Sequence, residues 1–129
     1  MRVLAKKTDN DSIRVSERLS QIDPSTRVIL TTNPEEVVRL VHLNQVRLVV
    51  SGQIFRWRMN GHELAQAIKQ YDPSILFVMW SQHSVKSPYI DAFIPDGVGS
   101  VDEVARLFAV YEPGMTIEEL VTEARGYEL

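Results

Sequence analysis

Several residue types that carry chemistry are scarce or missing in this 129-residue chain. There is no cysteine, which excludes disulfides, thiolate metal ligands and a cysteine nucleophile. The formal net charge of -3 provides no general basic surface, so the composition does not favour nucleic acid as a partner. No apolar run is long enough to cross a membrane, and the apolar segment after Met1 is too short for a signal peptide. These absences predict a cytoplasmic protein with no membrane association.

Apolar residues follow two spacings along the chain. Five short runs are nearly continuous in apolar residues, which is typical of strands buried on both faces. The predicted strands are Val3–Ala5, Arg27–Thr31, Val46–Ser51, Ile75–Trp80 and Ala92–Ile94. The segments between them carry apolar stripes at helical spacing. Strands that alternate with helices predict right-handed crossovers and an α/β fold with a doubly wound, five-stranded parallel sheet.

Capping residues predict where several of the helices begin and end. Asn33, which is followed by a proline, is a favourable N-cap. Ser100 and Thr116 each stand three residues before a glutamate, which is the spacing of a capping box. The prolines of Asp23-Pro24 and Asp72-Pro73 stop the helices that precede them.

Two segments depart from this alternation. Ser81–Asp91 is short and polar and contains a proline, which predicts a shortened fourth helix. After a turn, four apolar residues predict one face of an extra C-terminal helix: Ile117, Leu120, Val121 and Ala124. Because so short a helix is marginal alone, it must pack on the domain, on a second copy or on another molecule. We expect a main domain over residues 1–112 and a C-terminal helical extension over 113–129.

The segment Arg47–Trp80, RLVVSGQIFRWRMNGHELAQAIKQYDPSILFVMW, is predicted to form a strand, a loop, a helix, a turn and a strand. This layout resembles the centre of a response-regulator receiver domain, and a similar element order extends over about residues 2–110. The resemblance implies the CheY-like, flavodoxin-like fold and a role in signal transduction. It also implies a site at the carboxyl ends of the strands. In receivers that site holds a phosphate-accepting aspartate, an acidic pair that binds Mg²⁺, a switch hydroxyl and a lysine.

The positions that match the receiver site lack its central chemistry. The acceptor position matches Gln53 or, with one more loop residue, Gly52, and neither side chain accepts a phosphoryl group. The acidic pair matches Lys6 and Lys7, which repel a dication that needs carboxylate ligands. The two lysines are candidates for binding an anion or for ordinary solvated strand ends.

The other two receiver positions are also altered. The switch hydroxyl matches Met79 or Trp80, with Ser81 as a displaced hydroxyl, and the lysine matches Pro95. We expect Trp80 to fill the emptied pocket by packing rather than to serve as a platform for a ligand.

Candidate metal ligands are few. Asp9 and Asp11 follow the two lysines, and we expect them to cap the first helix, with a metal site as the less favoured alternative. His42, His62 and His83 lie on separate predicted elements, so they do not predict a zinc site. The sequence therefore predicts no metal, no cofactor and no enzymatic activity.

The loop after the third strand has an unusual composition for a solvent-facing segment. Phe55, Arg56, Trp57, Arg58 and Met59 alternate apolar and guanidinium side chains. Tryptophan and arginine dominate the energetics of protein–protein interfaces, so we predict that this loop contacts another protein. In the alternative, Phe55 and Met59 fold onto the core while the arginines are solvated. Stacking on nucleic-acid bases is a weaker alternative.

These observations predict a pseudo-receiver, which keeps the fold and acts without phosphorylation as a regulatory protein–protein interaction module. The alternative is a small-molecule or anion sensor that uses the pocket at the carboxyl ends of the strands. The expected partner is another protein, and a second copy bound through the C-terminal region is a further candidate. Four residues are expected either to be covered by the C-terminal helix or to form an interface patch: Tyr89, Leu107, Val110 and Tyr111.

Overall fold

The computed structural model describes residues 1–43, 45–55, 59–84 and 86–126. Five parallel strands form one sheet in the order β2-β1-β3-β4-β5. The strands are β1 (Arg2–Ala5), β2 (Val28–Thr31), β3 (Leu48–Ser51), β4 (Leu76–Ser81) and β5 (Ala92–Pro95). All five predicted strands are confirmed, and β1 lies inside the sheet because the chain winds first to one side of it and then to the other.

Helices cover both faces of the sheet. They are α1 (Asp9–Ile22), α2 (Pro34–His42), α3 (Gly61–Tyr71), α4 (Ser100–Val110) and α5 (Ile117–Gly126). Side chains on a strand alternate between the faces, so neighbouring residues enter different cores. Leu4 packs in a first cluster with residues of α1, α4 and α5, whereas Val3 packs in a second cluster with residues of α2 and α3. The predicted doubly wound α/β fold is confirmed.

Most of the predicted helix ends are confirmed. The Asn33 side chain accepts a hydrogen bond from the backbone N–H of Glu35. Thr116 and Glu119 exchange the two hydrogen bonds of a capping box before α5. The helices α1 and α3 end directly before Asp23-Pro24 and Asp72-Pro73.

The capping box predicted at Ser100 is wrong. The N-cap of α4 is Gly99, whose φ of 83° lies in the left-handed region that favours glycine. Its carbonyl accepts from the Glu103 N–H, so Ser100 becomes the first helical residue. The Ser100 hydroxyl instead donates to the carbonyl of Gly97 at 2.8 Å and braces the preceding loop.

The sequence predicts a shortened fourth helix in the connection from β4 to β5. The described residues of this connection, 82–84 and 86–91, contain no helix. Asp91 holds this connection in place. Its Oδ2 accepts from the backbone N–H of Phe77 at 2.8 Å and from Lys69 Nζ at 2.6 Å. Tyr89 and Ile90 pack against the second cluster and so cover the face that a fourth helix would cover.

The C-terminal helix packs on the domain itself, which decides among the three alternatives left open by the sequence. Leu120 and Ala124 are buried in the first cluster together with Leu107 and Tyr111. Tyr89 lies on the other face, where its ring centroid is 6.0 Å from that of His62. None of the helices in the described ranges is long and apolar enough to cross a membrane.

Candidate functional site

A cleft of about 340 Å³ opens at the carboxyl ends of β1, β3 and β4. The parallel register explains which residues meet there, because Ala5 pairs with Ser51 and Ser51 pairs with Met79. The next residue of each strand therefore lies in one layer at the floor of the cleft. The lining residues are Lys6, Lys7, Thr8, Asp11, Gly52, Gln53, Ile54, Trp80, Ser81, Gln82, His83 and Asp96.

The side chain of Lys6 lies across this cleft and is almost completely buried. Its Nζ donates to the carbonyl oxygen of Trp80 at 3.2 Å and lies 4.0 Å from the centroid of the Trp80 ring. The same Nζ is 3.7 Å from Asp11 Oδ2 and 3.9 Å from Asp96 Oδ2. The Lys6 ammonium group is thus surrounded by three oxygens and an aromatic face, which are groups that favour a cation. The cation bound there is the lysine side chain itself.

Electrostatics at Lys6 combine two opposing effects. Burial lowers the pKa of Lys6, while the carboxylates of Asp96 and Asp11 raise it, and the net direction is downward. The charged form of Lys6 is therefore less favourable in the folded protein than in water. Lys7, its neighbour, is exposed. The sequence left two alternatives for this pair, anion binding and ordinary solvation at a strand end. Lys7 is solvated, whereas Lys6 is buried beside two carboxylates.

Two carboxylates reach the cleft by different routes. Asp9 and Asp11 do lie in the first turn of α1, but the prediction that they cap it is wrong, because the N-cap is Thr8 and no side chain caps it. Asp11 instead faces Lys6, whose ammonium is a stronger donor than a helix N–H. Asp96, which the sequence analysis did not single out, directly follows β5 and approaches Lys6 from the other side. The one feature of the sequence that could have identified Asp96 as a site residue is its position close to the end of a predicted strand.

Gly52 is the floor of the cleft beneath Lys6. A Cβ added at Gly52 would lie 3.3 Å from Lys6 Cδ and 3.8 Å from the Trp80 carbonyl oxygen. Gln53 faces the start of α3, where its side-chain oxygen accepts from the His62 N–H at 3.0 Å and its carbonyl accepts from the Gly61 N–H at 2.8 Å. Both residues that match the acceptor position therefore have structural partners, and neither brings a carboxylate into the cleft.

The remaining residues of the predicted pocket, Trp80, Ser81 and Pro95, differ in burial and in whether they line the cleft. Trp80 is fully buried in the first cluster, and its Nε1 has no hydrogen-bond partner among the residues that the structure describes. Ser81 lines the cleft, and its Oγ accepts from the His83 N–H at 3.2 Å. Pro95 pairs with Ser81 in register, is exposed and does not line the cleft. Ile94, one residue earlier, is buried and pairs with Trp80 in the floor layer.

The predicted contact loop is described only at its ends. Phe55 is 8% exposed and belongs to the second cluster, and Met59 is half-buried against the same cluster. Arg56, Trp57 and Arg58 lie outside the described residues. Ile54 follows β3 before the loop, lines the cleft and is 63% exposed.

The chemical capacity of the cleft follows from these positions. Within the described residues, no group of three or more histidine, aspartate or glutamate side chains is placed to hold a metal ion. The two carboxylates present already face an ammonium group. The cleft therefore offers a buried amine, a carboxylate on either side of it, and an exposed lysine and histidine on its rim.

No protein-family model and no curated protein matches the chain. Solved structures do match. The isolated REC domain of RcsB from Salmonella enterica serovar Typhimurium, determined with phosphomimetic BeF3-, is 13% identical with a TM-score of 0.67, over 95% of this chain and 96% of that chain. The apo receiver domain of nitrogen regulatory protein C is 19% identical with a TM-score of 0.67, over 95% and 94%. An orphan response regulator of H. pylori is 18% identical with a TM-score of 0.63, over 81% and 90%.

These neighbours are response-regulator proteins, and two of them are isolated receiver domains. The chain has the receiver-like, CheY-like α/β fold over nearly its whole length. At such low identity the similarity establishes the fold, and the chemistry has to be argued from the residues in the cleft.

Proposed function

We propose that this chain is a pseudo-receiver, a cytoplasmic and non-enzymatic signalling module that regulates by protein–protein contact without phosphorylation. The observation that carries the proposal is the ammonium group of Lys6, which lies between Asp11 and Asp96 at the carboxyl edge of a receiver-like sheet. A receiver needs a carboxylate acceptor, a dication and a cation clamp at this edge. The cleft has a lysine where the dication would bind and a glycine where the acceptor would be.

Charge arithmetic supports the exclusion of Mg²⁺. Near a protein surface, the repulsion energy between an ammonium group and a single positive charge about 4 Å away is about 4 kcal/mol, and for a dication it is about twice that. Asp11 and Asp96 would have to offset this repulsion as well as the dehydration of the ion, and their attraction is already directed to Lys6. Phosphoryl transfer depends on positioning and charge neutralisation, and neither survives without the metal.

The phosphorylation test uses the whole chain with Mg²⁺ and either acetyl phosphate or BeF3-. With acetyl phosphate we expect no phosphoryl adduct by intact mass, and with BeF3- we expect no shift in the amide NMR spectrum. A stable phosphoryl mass on the wild-type chain would refute the proposal.

A matched pair of variants tests why the dication is excluded. Lys6→Ala removes the ammonium group and leaves both carboxylates, so we expect it to bind Mn²⁺ and show quenched tryptophan fluorescence. Lys7→Ala removes the exposed neighbour and should behave like the wild type, without quenching. Equal Mn²⁺ affinity in all three proteins would mean that Lys6 is not what excludes the metal.

The proposed contact surface is the loop from Phe55 to Met59. Its two described ends, Phe55 and Met59, pack on the second cluster, and the exposed Ile54 directly before it lines the cleft. Aromatic and guanidinium groups supply large contact area and planar hydrogen bonding, which suits a protein partner.

The contact test compares proteins captured from cell extract by three forms of the chain. Replacing Arg56 and Arg58 with Glu and Trp57 with Ala should abolish capture of the specific partner. Charge reversal at Arg39, which is exposed on α2, is the control and should leave capture intact. Unchanged capture by the loop variant would remove the loop from the proposal.

The C-terminal region is the proposed surface for a second copy. A pocket of about 160 Å³ lies between β5, α4 and α5, and its lining residues include Phe93, Val121 and Arg125. Sedimentation over a wide concentration range should detect a dimer that Val121→Glu weakens. A monomer at every concentration would exclude this part of the proposal.

The second candidate function is an anion or small-molecule sensor, which is favoured by the volume of the cleft and by exposed Lys7 and His83 on its rim. A ligand that binds only the folded state raises its melting temperature. A thermal-shift series with inorganic phosphate and anionic metabolites should give a rise that Lys7→Glu removes. No rise at millimolar ligand would leave the contact module as the better function.

A further inference from the structure

The four lysines of the chain lie in different surroundings. Lys7 and Lys86 are exposed. Lys69 is occupied by Asp91 and by the carbonyls of Pro73 and Ile75 on the side of the molecule where α3 ends. Of the four, Lys6 alone is both buried and part of the lining of the cleft at the carboxyl ends of the strands. An amine in that position is a potential nucleophile.

We propose that Lys6 is an acylation site, at which a small acyl phosphate enters the cleft and transfers its acyl group to Nζ. The inference deepens the proposed function and rests on it in one respect, because it takes the cleft to contain no carboxylate that accepts a phosphoryl group. An acyl phosphate has two electrophilic centres, the phosphorus and the acyl carbon. A cleft that offers an amine nucleophile and has glycine at the acceptor position directs attack to the carbon.

The geometry of the cleft supports this reaction. Its volume of about 340 Å³ is in the range of small-molecule sites. Asp11 and Asp96, which both line the cleft, are the carboxylates nearest to Nζ, so Nζ lies on the cleft side of the lysine. The absence of a side chain at Gly52 lets the Lys6 side chain lie across the cleft, because a Cβ there would be only 3.3 Å from Lys6 Cδ. Lys7 on the rim attracts the phosphate end of the reagent.

The step is balanced with the acyl phosphate as the only co-reactant. The lone pair of neutral Nζ attacks the acyl carbon, a C–N bond forms, and the bond from that carbon to the phosphate oxygen breaks. Inorganic phosphate leaves with the electron pair. One amine proton passes to solvent, with the carboxylates of Asp11 and Asp96 at 3.7 and 3.9 Å as acceptors on the way. The amide keeps one N–H, which suffices for the hydrogen bond to the Trp80 carbonyl.

The electrostatics favour the product. Burial lowers the pKa of Lys6 against the opposing carboxylates of Asp96 and Asp11, so more free amine is present than on an exposed lysine at the same pH. The titratable and charged groups that face it are these two carboxylates, and Lys7 and His83 share the cleft. Acylation removes the buried positive charge. It also releases Asp11 and Asp96 from their counter-ion, so the modified chain gains an acidic cleft.

The test is peptide mapping by mass spectrometry after the whole folded chain is treated with acetyl phosphate at neutral pH. Because Lys6 and Lys7 are adjacent in sequence, Lys7 is an internal control of nearly identical local chemistry. We expect the acetyl mass to accumulate faster on Lys6 than on Lys7, Lys69 or Lys86. In urea, Lys6 and Lys7 should be acetylated at equal rates. In the Lys6→Arg variant, the acetyl group at position 6 should be lost.

Equal or slower acetylation of Lys6 than of Lys7 in the folded chain would overturn the inference, because burial would then be protecting the amine. The same preference in the folded and the urea-unfolded chain would also overturn it, since local sequence alone would be the cause. The proposed function fails on a different observation, the mass of a phosphoryl group rather than that of an acetyl group. The two failures are therefore distinguishable in one digest.

Discussion

Replacement of Gly61 by alanine perturbs the closest backbone approach near the cleft. Gly61 is the first residue of α3 and is buried against the chain that leaves β3. A Cβ at this position would lie 2.2 Å from the Gly52 carbonyl oxygen and 3.0 Å from both Gln53 Cα and Met79 Cε. Two of these three atoms belong to backbone, so they cannot rotate away as a side chain would.

The expected loss of stability follows from that geometry. Overpacking of a rigid site costs about 1–3 kcal/mol, and the very short contact with a backbone oxygen puts this case at the upper end, about 3 kcal/mol. The gain in helix propensity from alanine is below about 1 kcal/mol and does not offset it. The entropy of unfolding of a 129-residue chain is about 0.27 kcal/mol per kelvin, so the melting temperature should fall by about 11 °C.

Urea and thermal unfolding followed by circular dichroism measure this change. Gly97→Ala is the matched control, because a Cβ there meets nothing within 4 Å, and it should change stability by less than about 0.5 kcal/mol. Equal stability of the two variants would refute the reasoning, because it would mean that α3 does not begin against the Gly52–Gln53 backbone. The hydrogen bonds that hold Gln53 at the edge of the cleft would then also be in doubt.

Three further substitutions test the charges and the C-terminal helix. Lys6→Met should keep stability within about 1 kcal/mol of the wild type at neutral pH, because a buried charge is exchanged for an apolar side chain of similar length and the carboxylates of Asp11 and Asp96, 31% and 30% exposed, stay hydrated. Burial lowers the pKa of Lys6 below its usual 10.5, so the unfolded chain binds more protons between the two values and wild-type stability should rise across that alkaline window. Urea titrations at several pH values should show this rise in the wild type and not in Lys6→Met. Asp91→Ala should cost about 3 kcal/mol in the same assay, because Lys69 loses its carboxylate and a buried strand N–H loses its acceptor, whereas Asp91→Asn should cost less. Leu120→Ala should cost about 3 kcal/mol if α5 belongs to the core, and a cost near zero would show an independent extension.

Local patterns in the sequence predicted the elements of the fold well. The five strands are short apolar runs because a parallel sheet is covered on both faces, and that pattern needs no knowledge of distant residues. Asn33 and Thr116 cap their helices through hydrogen bonds to residues two or three positions away. Ser100 has the same spacing, but the preceding glycine reaches a left-handed conformation that moves the cap back by one residue. Competing local conformations of this kind are decided by the loop around them.

In the candidate site, the residues that lie at strand ends could be predicted from the sequence, and the contacts between their side chains could not. The positions of Gly52 and Lys6 at strand ends could be counted from the sequence, because strand length sets where each strand stops. That Asp11 faces Lys6 could not, since a residue in the first turn of a helix can cap it or turn to a neighbour. Asp96 is 90 residues away in the chain, and no local pattern connects it to Lys6.

The sequence by itself determined the element order and the parallel sheet, because hydrophobic periodicity acts over a few positions. Only the tertiary structure decided that α5 completes the first cluster and that the charge of Lys6 lies buried between two carboxylates. Both outcomes depend on the register of strands and on the packing of helices across the sheet. Those relations join residues that the chain separates widely, and burial, which sets the energy of a charge, exists only once they have formed.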